Sequence, residues 1–347
     1  MQVCLIVPGP LATISGGHTY DRRMAEGLRA LGHDVLVVEL AGRLPDPDQA
    51  AIYAARTAWA SLPADSVKLI DGLALPAFFG LPLHQVTGLV HHPVSLETGV
   101  PEEAGQRLRM TEAEMFRALP RLVVTSDQTA ERIVHEFAAP PERISVIIPG
   151  LDMLSRSAGS DRPACRTQSS GRQACQILSV GALIPRKGHD VLLRALSRLF
   201  DLAWELTIAG SADRDPVHAN GLLALAEELK IAQRVRFVDN VTEALWAAAD
   251  LFALTSFFEG YGVAIAEAMR RGLPVAVTNV GAVPTLVGPE AGVVCVAGDV
   301  EQLSKALRRL IFDRNLRHDM AEVAWQAGQL LPSWNEQAAC LAAVLAG

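Results

Sequence analysis

The chain has 347 residues, half of them hydrophobic and a fifth charged, which is enough for two ordinary domains with sizeable cores. Its net charge of −7 and pI near 5.7 argue against a nucleic-acid-binding surface as its main business, so no nucleic-acid partner is expected. Five scattered cysteines (Cys4, Cys165, Cys175, Cys295, Cys340) show neither zinc-ligand spacing nor the density of a disulfide scaffold, and a reduced, cytoplasmic setting fits them. The start, Met1 to Pro8, lacks a basic region before its apolar run, so no leader is expected. The stretches Gly72–Leu96 and Gly272–Pro289 are cut by Pro and Gly and do not read as membrane spans.

In chain order, Val3–Val7 reads as a strand and Pro8–Gly17 as a loop rich in Gly, Pro, Ser and Thr. Tyr20–Leu31 has apolar residues at helical spacing, and Val35–Val38 is the next strand. Helix Gln49–Ala60, strands Val67–Ile70 and Val86–Val90, helix Glu102–Leu119 and strand Leu122–Thr125 follow. Asp127 is expected to cap a helix running to Phe137, before a last strand at Ile144–Ile148. Residues 151–175, rich in Ser, Arg, Gly and Thr, read as a linker. A second alternation begins at strand Ile177–Val180. Asp190 is expected to cap a helix Val191–Phe200, and strands at 206–209, 235–238, 251–254, 275–278 and 293–296 follow, with helices between most of them. Three helical segments end the chain, the last at Trp334–Leu345. Alternation of this kind implies two α/β domains with parallel sheets covered on both faces.

Candidate polar groups fall at strand C-terminal edges, where open α/β sheets bind ligands. In the second half, a strand at 251–254 runs into Glu259-Gly260-Tyr261-Gly262 and a helix carrying Glu267. The helix N-terminus suits a phosphate, and a carboxylate such as Glu267 on a largely apolar helix needs a partner such as a ribose or an arginine, or else lies on a narrow solvent strip. Arg186 and Lys187 lie between a strand and a helix, a good place to meet a diphosphate. In the first half, Gly16 and Gly17 follow the first strand, and His91, with His92 as rival, ends another. No Asp-x-Asp metal motif is apparent in this reading, and no nucleophilic triad stands out.

These motifs converge on one family. Val180-Gly181-Ala182-Leu183-Ile184-Pro185-Arg186-Lys187-Gly188, Ser256-Phe257-Phe258-Glu259-Gly260-Tyr261-Gly262, Glu267-Ala268-Met269 and Gly272-Leu273-Pro274-Val275 resemble the retaining GT-B glycosyltransferases of family 4. Ala182 and Thr285 stand where that family often has Arg and Glu. The resemblance implies two Rossmann-like domains facing each other across a cleft. Residues 1–150 would form the acceptor-side domain, 151–175 the linker, 176–330 the nucleotide-sugar domain, and 331–347 a helix crossing back to the first domain. It implies transfer of a sugar from a nucleotide-diphosphate sugar to a hydroxyl, with retention and without a metal or other cofactor. Glu267 would hold the ribose, while Glu259, with Gly260, Tyr261 and Gly262, would lie by the donor sugar and diphosphate. Lys187, with Arg186, would neutralise the leaving group. His91 would lie near the donor sugar, and Gly16 and Gly17 near the diphosphate. The acceptor is a glycan, lipid or small molecule, and peripheral membrane contact stays open. Two other readings also stay open, a sugar-nucleotide epimerase or hydrolase and a non-catalytic nucleotide-sugar-binding protein.

Overall fold

The computed structural model describes residues 1–13, 15–96, 102–157 and 174–347, and most of the expected linker lies outside them. The described chain divides into two units, Met1–Asp152 with Pro332–Gly347, and Met153–Leu331.

The first unit runs β1 (Gln2–Pro8), α1 (Gly16–Ala30), β2 (Asp34–Leu40), α2 (Gln49–Ser61), β3 (Val67–Asp71), β4 (Val86–Val90), α3 (Glu102–Ala118), β5 (Arg121–Val124), α4 (Asp127–Phe137) and β6 (Ile144–Val146). All strands are parallel, in the order β2-β1-β3-β4-β5-β6. Successive strand residues point to opposite faces, and here both faces are buried. Val3, Leu5 and Val7 join a cluster with Tyr20, Met24 and Leu28, whereas Ile6 joins one with Phe78, Phe116 and Phe137.

The second unit runs β7 (Cys175–Val180), α5 (His189–Ser197), β8 (Trp204–Ala209), α6 (Pro216–Glu228), β9 (Val235–Val238), α7 (Glu243–Ala248), β10 (Leu251–Leu254), α8 (Val263–Arg270), β11 (Val275–Thr278), α9 (Val283–Val287), β12 (Gly292–Cys295), α10 (Val300–Phe312) and α11 (Arg314–Gln329). Its parallel order, β12-β11-β10-β7-β8-β9, reverses direction between β7 and β10. The same alternation operates: Ile177 and Leu206 face the cluster under α5 and α10, while Leu178 and Phe252 face the one under α8.

The last helix, α12 (Trp334–Ala346), packs on α1 in the first unit. Trp334 meets Tyr20 edge-on with ring centroids 5.9 Å apart, and Arg121 donates 2.8 Å to the Val344 carbonyl.

Two helix starts differ from the sequence reading. Ser126, not Asp127, caps α4, its hydroxyl accepting from Thr129 N. The N-cap of α5 is Gly188, which puts Asp190 inside the first turn. In both cases an acidic residue near the start was read as the cap, whereas it occupies the first turn, where it complements the helix dipole. The segment around Pro284, given no element in the sequence reading, forms the short helix α9 with Pro inside its first turn. Among the described residues no helix is long and apolar enough to cross a membrane. Cys4, Cys175 and Cys295 are buried free thiols, Cys340 is exposed, and Cys165 lies outside the described residues.

Candidate active site

In an open α/β sheet a ligand crevice forms where the strand order reverses, beyond the strand carboxyl ends. In the second unit that point lies between β7 and β10, so the loop after β7, with Arg186 and Lys187, meets the loop after β10, with Glu259. The two loops are tied by their own groups. Lys187 Nζ donates to Glu259 Oε1 at 2.6 Å, and Ser256 Oγ donates to the same oxygen at 2.6 Å. Arg186 donates to the Phe258 carbonyl at 2.8 Å, and Phe257 N donates back to the Arg186 carbonyl at 2.8 Å. Thr255 Oγ1 donates to the Gly188 carbonyl at 2.7 Å, and Thr278 Oγ1, from β11, donates to the Ser256 carbonyl.

Two glycines make this packing feasible. A Cβ on Gly188 (φ +62°) would stand 2.2 Å from the Thr255 carbonyl oxygen, and one on Gly281 (φ +54°) would stand 1.5 Å from that of Glu259. No L side chain fits either place.

Glu259 is only 7 % exposed. Burial alone would raise its carboxyl, but the Lys187 and Arg186 charges and the hydrogen bonds from Lys187 and Ser256 outweigh it, so the group lies below the usual carboxylate range. It is an anion at neutral pH. Gly262 starts α8 with no side-chain cap, leaving the first-turn amides open to an anion. Tyr261 is buried, and burial pushes its hydroxyl up to about 12. Glu267 lies on α8 and is part-buried, so the helix is less enclosed than its composition suggests. His189 was not singled out from the sequence. Its ring is fully buried and lies 3.3 Å from the Gly181 carbonyl, so it fixes the start of the lysine loop, and burial with the Lys187 charge drives it down to about 4.

In the first unit the candidate residues gather at the corresponding edge. Ser15 caps α1, its hydroxyl accepting from His18 N, and Gly16 and Gly17 form the first turn. Gly17 lies against the His91 ring, where a Cβ would be 3.2 Å from Cδ2 and 3.4 Å from Nε2. His91 Nε2 hydrogen-bonds Asp21 Oδ1 at 3.2 Å and lies 3.2 Å from Asp71 Oδ2. Tyr20 meets the ring edge-on with centroids 5.3 Å apart. Both aspartates are almost fully buried, at 1 % and 2 % exposure.

Burial would lower His91, but the two carboxylates overcome it and push the imidazole up to about 10. Burial, reinforced by Asp71, pushes Asp21 up, while the contacts with His91 keep Asp71 down. His91 is therefore a fixed imidazolium at neutral pH, a donor and cation rather than a base. Of the two neighbouring histidines, His91 is the one held by this network.

Asp21 and Asp71 were not singled out from the sequence. Asp71 did stand visibly at a strand end, and Asp21 lies one helical turn beyond Gly17. The ligand atoms of Asp21, Asp71 and His91 lie within 4.8 Å of one another, a group with the residue types to hold a metal ion. The Asp-x-Asp spacing, read above as not apparent, does occur, at Asp46-Pro47-Asp48 and at Asp213-Arg214-Asp215. Asp48 caps α2 and Asp215 caps α6, so one member of each pair is used by a helix start.

The family model for glycosyl transferases group 1 matches residues 168–326, most of the second unit. Over those residues the chain matches the group 1 glycosyltransferases. A D-inositol 3-phosphate glycosyltransferase of Corynebacterium glutamicum (strain R) is 30% identical over 263 residues, 72% of this chain and 62% of that protein. The chain thus spans less than two thirds of that relative's length. Among solved structures, a sucrose-phosphate synthase from Thermosynechococcus elongatus has a TM-score of 0.83 at 19% identity, covering 99% of this chain and 98% of that one. Anabaena HepE, solved in complex with UDP and glucose, has a TM-score of 0.77 at 19% identity, with 99% of each chain covered. At these identities the likeness is one of fold, and the fold is the two-domain α/β GT-B architecture.

Proposed function

We propose that the protein transfers a sugar from a nucleotide-diphosphate sugar to an acceptor hydroxyl, with retention at the anomeric carbon and without a metal. The observation that carries the reading is the Lys187–Glu259 pair at the sheet switch point, a half-buried cation and a buried anion within 2.6 Å beside an uncapped helix start. Glycosyl transfer develops positive charge on the sugar ring and negative charge on the departing diphosphate. Lys187, Arg186 and the amides of Gly260 to Gly262 answer the negative charge. Glu259, ionised at neutral pH, answers the positive one. Because both loops are already tied together, this charge pattern is in place before the donor arrives, which is what electrostatic preorganisation requires.

In this reading Glu267 accepts from the donor ribose hydroxyls. Within the first unit, His91 is a charged hydrogen-bond donor, and Gly16 and Gly17 allow close backbone approach to a ligand. The HepE complex with UDP and glucose and the inositol-phosphate relative support a nucleotide-sugar donor and a hydroxyl acceptor. The test is transfer from UDP-, GDP- and ADP-sugars to a panel of hydroxyl acceptors in the presence of EDTA, with the product anomer read by NMR. An axial-to-axial product formed under EDTA is expected. An inverted product, a strict requirement for added metal, or donor consumption without transfer would each refute the corresponding part.

A further inference from the structure

Helix α3 carries one carboxylate that its packing does not need. Its Met115 and Phe116 join the apolar cluster that also takes Val86 and Val90 from β4 and Leu122 and Val124 from β5. Beside them Glu112 is only 4 % exposed. A carboxylate adds nothing to an apolar contact and is costly to bury unless it is hydrogen-bonded. Its partners therefore show what it is for.

Those partners lie in one place. Glu112 Oε1 accepts from Val94 N at 2.6 Å, and Oε2 accepts from Ser95 N at 3.2 Å and from the Ser95 hydroxyl. Val94–Leu96 is a single tight helical turn directly after His91-His92-Pro93. Such a turn begins with N–H groups that have no partner inside it, and a Ser, Thr, Asp or Asn just before it usually takes them. Here His92 and Pro93 precede the turn, and neither is of that kind. The capping is done instead from α3, by a side chain 18 and 17 residues further along the chain.

The histidine is anchored on its other side as well. The His91 carbonyl accepts from Thr125 Oγ1, directly after β5, at 3.1 Å. The ring leaves little slack between these anchors. Its Nε2 stands 3.2 Å from both Asp21 Oδ1 and Asp71 Oδ2, and a Cβ on Gly17 would stand 3.2 Å from its Cδ2. Hydrogen bonds fade beyond about 3.5 Å, so a loop shift of ~0.3 Å away from either aspartate begins to lose the contact.

We propose that Glu112 is a positioning residue for His91: by capping the turn that follows the histidine, it holds the imidazole in register with Asp21 and Asp71. The effect on transfer rests on the transferase reading; the effect on the ring does not. Three variants of the full chain test it. Glu112→Ala removes all three contacts, Glu112→Gln keeps one acceptor oxygen, and Met115→Ala, one turn on in the same helix, removes apolar packing alone. The readouts are the thermal midpoint, the His91 ring nitrogen signals by NMR, assigned by their loss in His91→Ala, and kcat/KM for the donor. Glu112→Ala should move the His91 signals and lower kcat/KM about tenfold, as small misplacements of reacting groups do. Glu112→Gln should lie between it and the parent. Met115→Ala should lower the thermal midpoint and leave the His91 signals in place. If Glu112→Ala does not fold, Glu112→Gln carries the test, with the same changes at smaller size. Parent-like His91 signals in the Glu112 variants that fold, or the same displacement in Met115→Ala, would overturn the assignment. Displaced signals in a protein that transfers no sugar would sink the transferase reading and leave the positioning role standing.

Discussion

Replacing Lys187 by Ala removes the cation that faces Glu259. The pair is largely enclosed, with side-chain exposures of 14 % and 9 %, so water gives the remaining carboxylate little relief. Breaking a buried ion pair on one side costs about 3–5 kcal/mol. Ser256 still donates to Glu259 and Arg186 still lies near it, so the lower end, about 3 kcal/mol, applies. The pH dependence gives the sharper readout. In the parent, Glu259 lies below its ordinary value, so it contributes stability that is fully present above that value and lost as pH falls through the depressed one. In Lys187→Ala burial dominates and raises the carboxyl. The sign then reverses, and the variant gains relative stability as acid protonates Glu259. Urea denaturation of parent, Lys187→Ala, Glu259→Gln and the double variant, at pH 7 and at pH 5, measures both effects. The deficit of Lys187→Ala should shrink at pH 5, and Glu259→Gln should recover part of it at pH 7. A Lys187→Ala protein as stable as the parent at pH 7, or a coupling near zero in the cycle, would refute the argument.

Three further outcomes follow from the same geometry. Asp71→Asn should drop the His91 imidazole from about 10 toward its ordinary 6.5, read by histidine NMR titration. Because a raised imidazole contributes stability that is complete below 6.5 and lost as pH rises through about 10, the parent should lose stability across that window more than Asp71→Asn does. Gly281→Ala, whose Cβ would stand 1.5 Å from the Glu259 carbonyl oxygen at φ +54°, should cost at least about 2 kcal/mol and lower the thermal midpoint. Gly17→Ala should move the His91 ring signals while leaving the thermal midpoint nearly unchanged, since its contact at 3.2 Å is relieved by a small ring shift.

The alternation of apolar runs was enough to give the α/β class, because parallel strands buried on both faces leave nearly continuous hydrophobic text. Lys187 and Glu259 were each visible as polar residues at strand ends. Their pairing was not, since 72 residues separate them and only the strand order brings β7 beside β10. Asp21 and Asp71 were lost for the same reason. Each is 70 or 20 positions from His91, and a lone aspartate in a helix or at a strand end carries no local mark of a buried partner. His189 reads as the end of a loop until its ring is seen under Gly181. The helix caps failed on a finer scale, where Ser126 and Asp127, or Gly188 and Asp190, compete within two residues and backbone geometry decides.

The central claim is that the switch point of the second unit holds a nucleotide-diphosphate sugar. Titration calorimetry of UDP-, GDP- and ADP-sugars against the parent, Lys187→Ala and Glu267→Ala tests it most directly. One donor class should bind the parent, and each variant should weaken it at least about tenfold, the loss expected for one charge-assisted contact. Absence of binding by every donor, or equal affinity in all three proteins, would contradict the account.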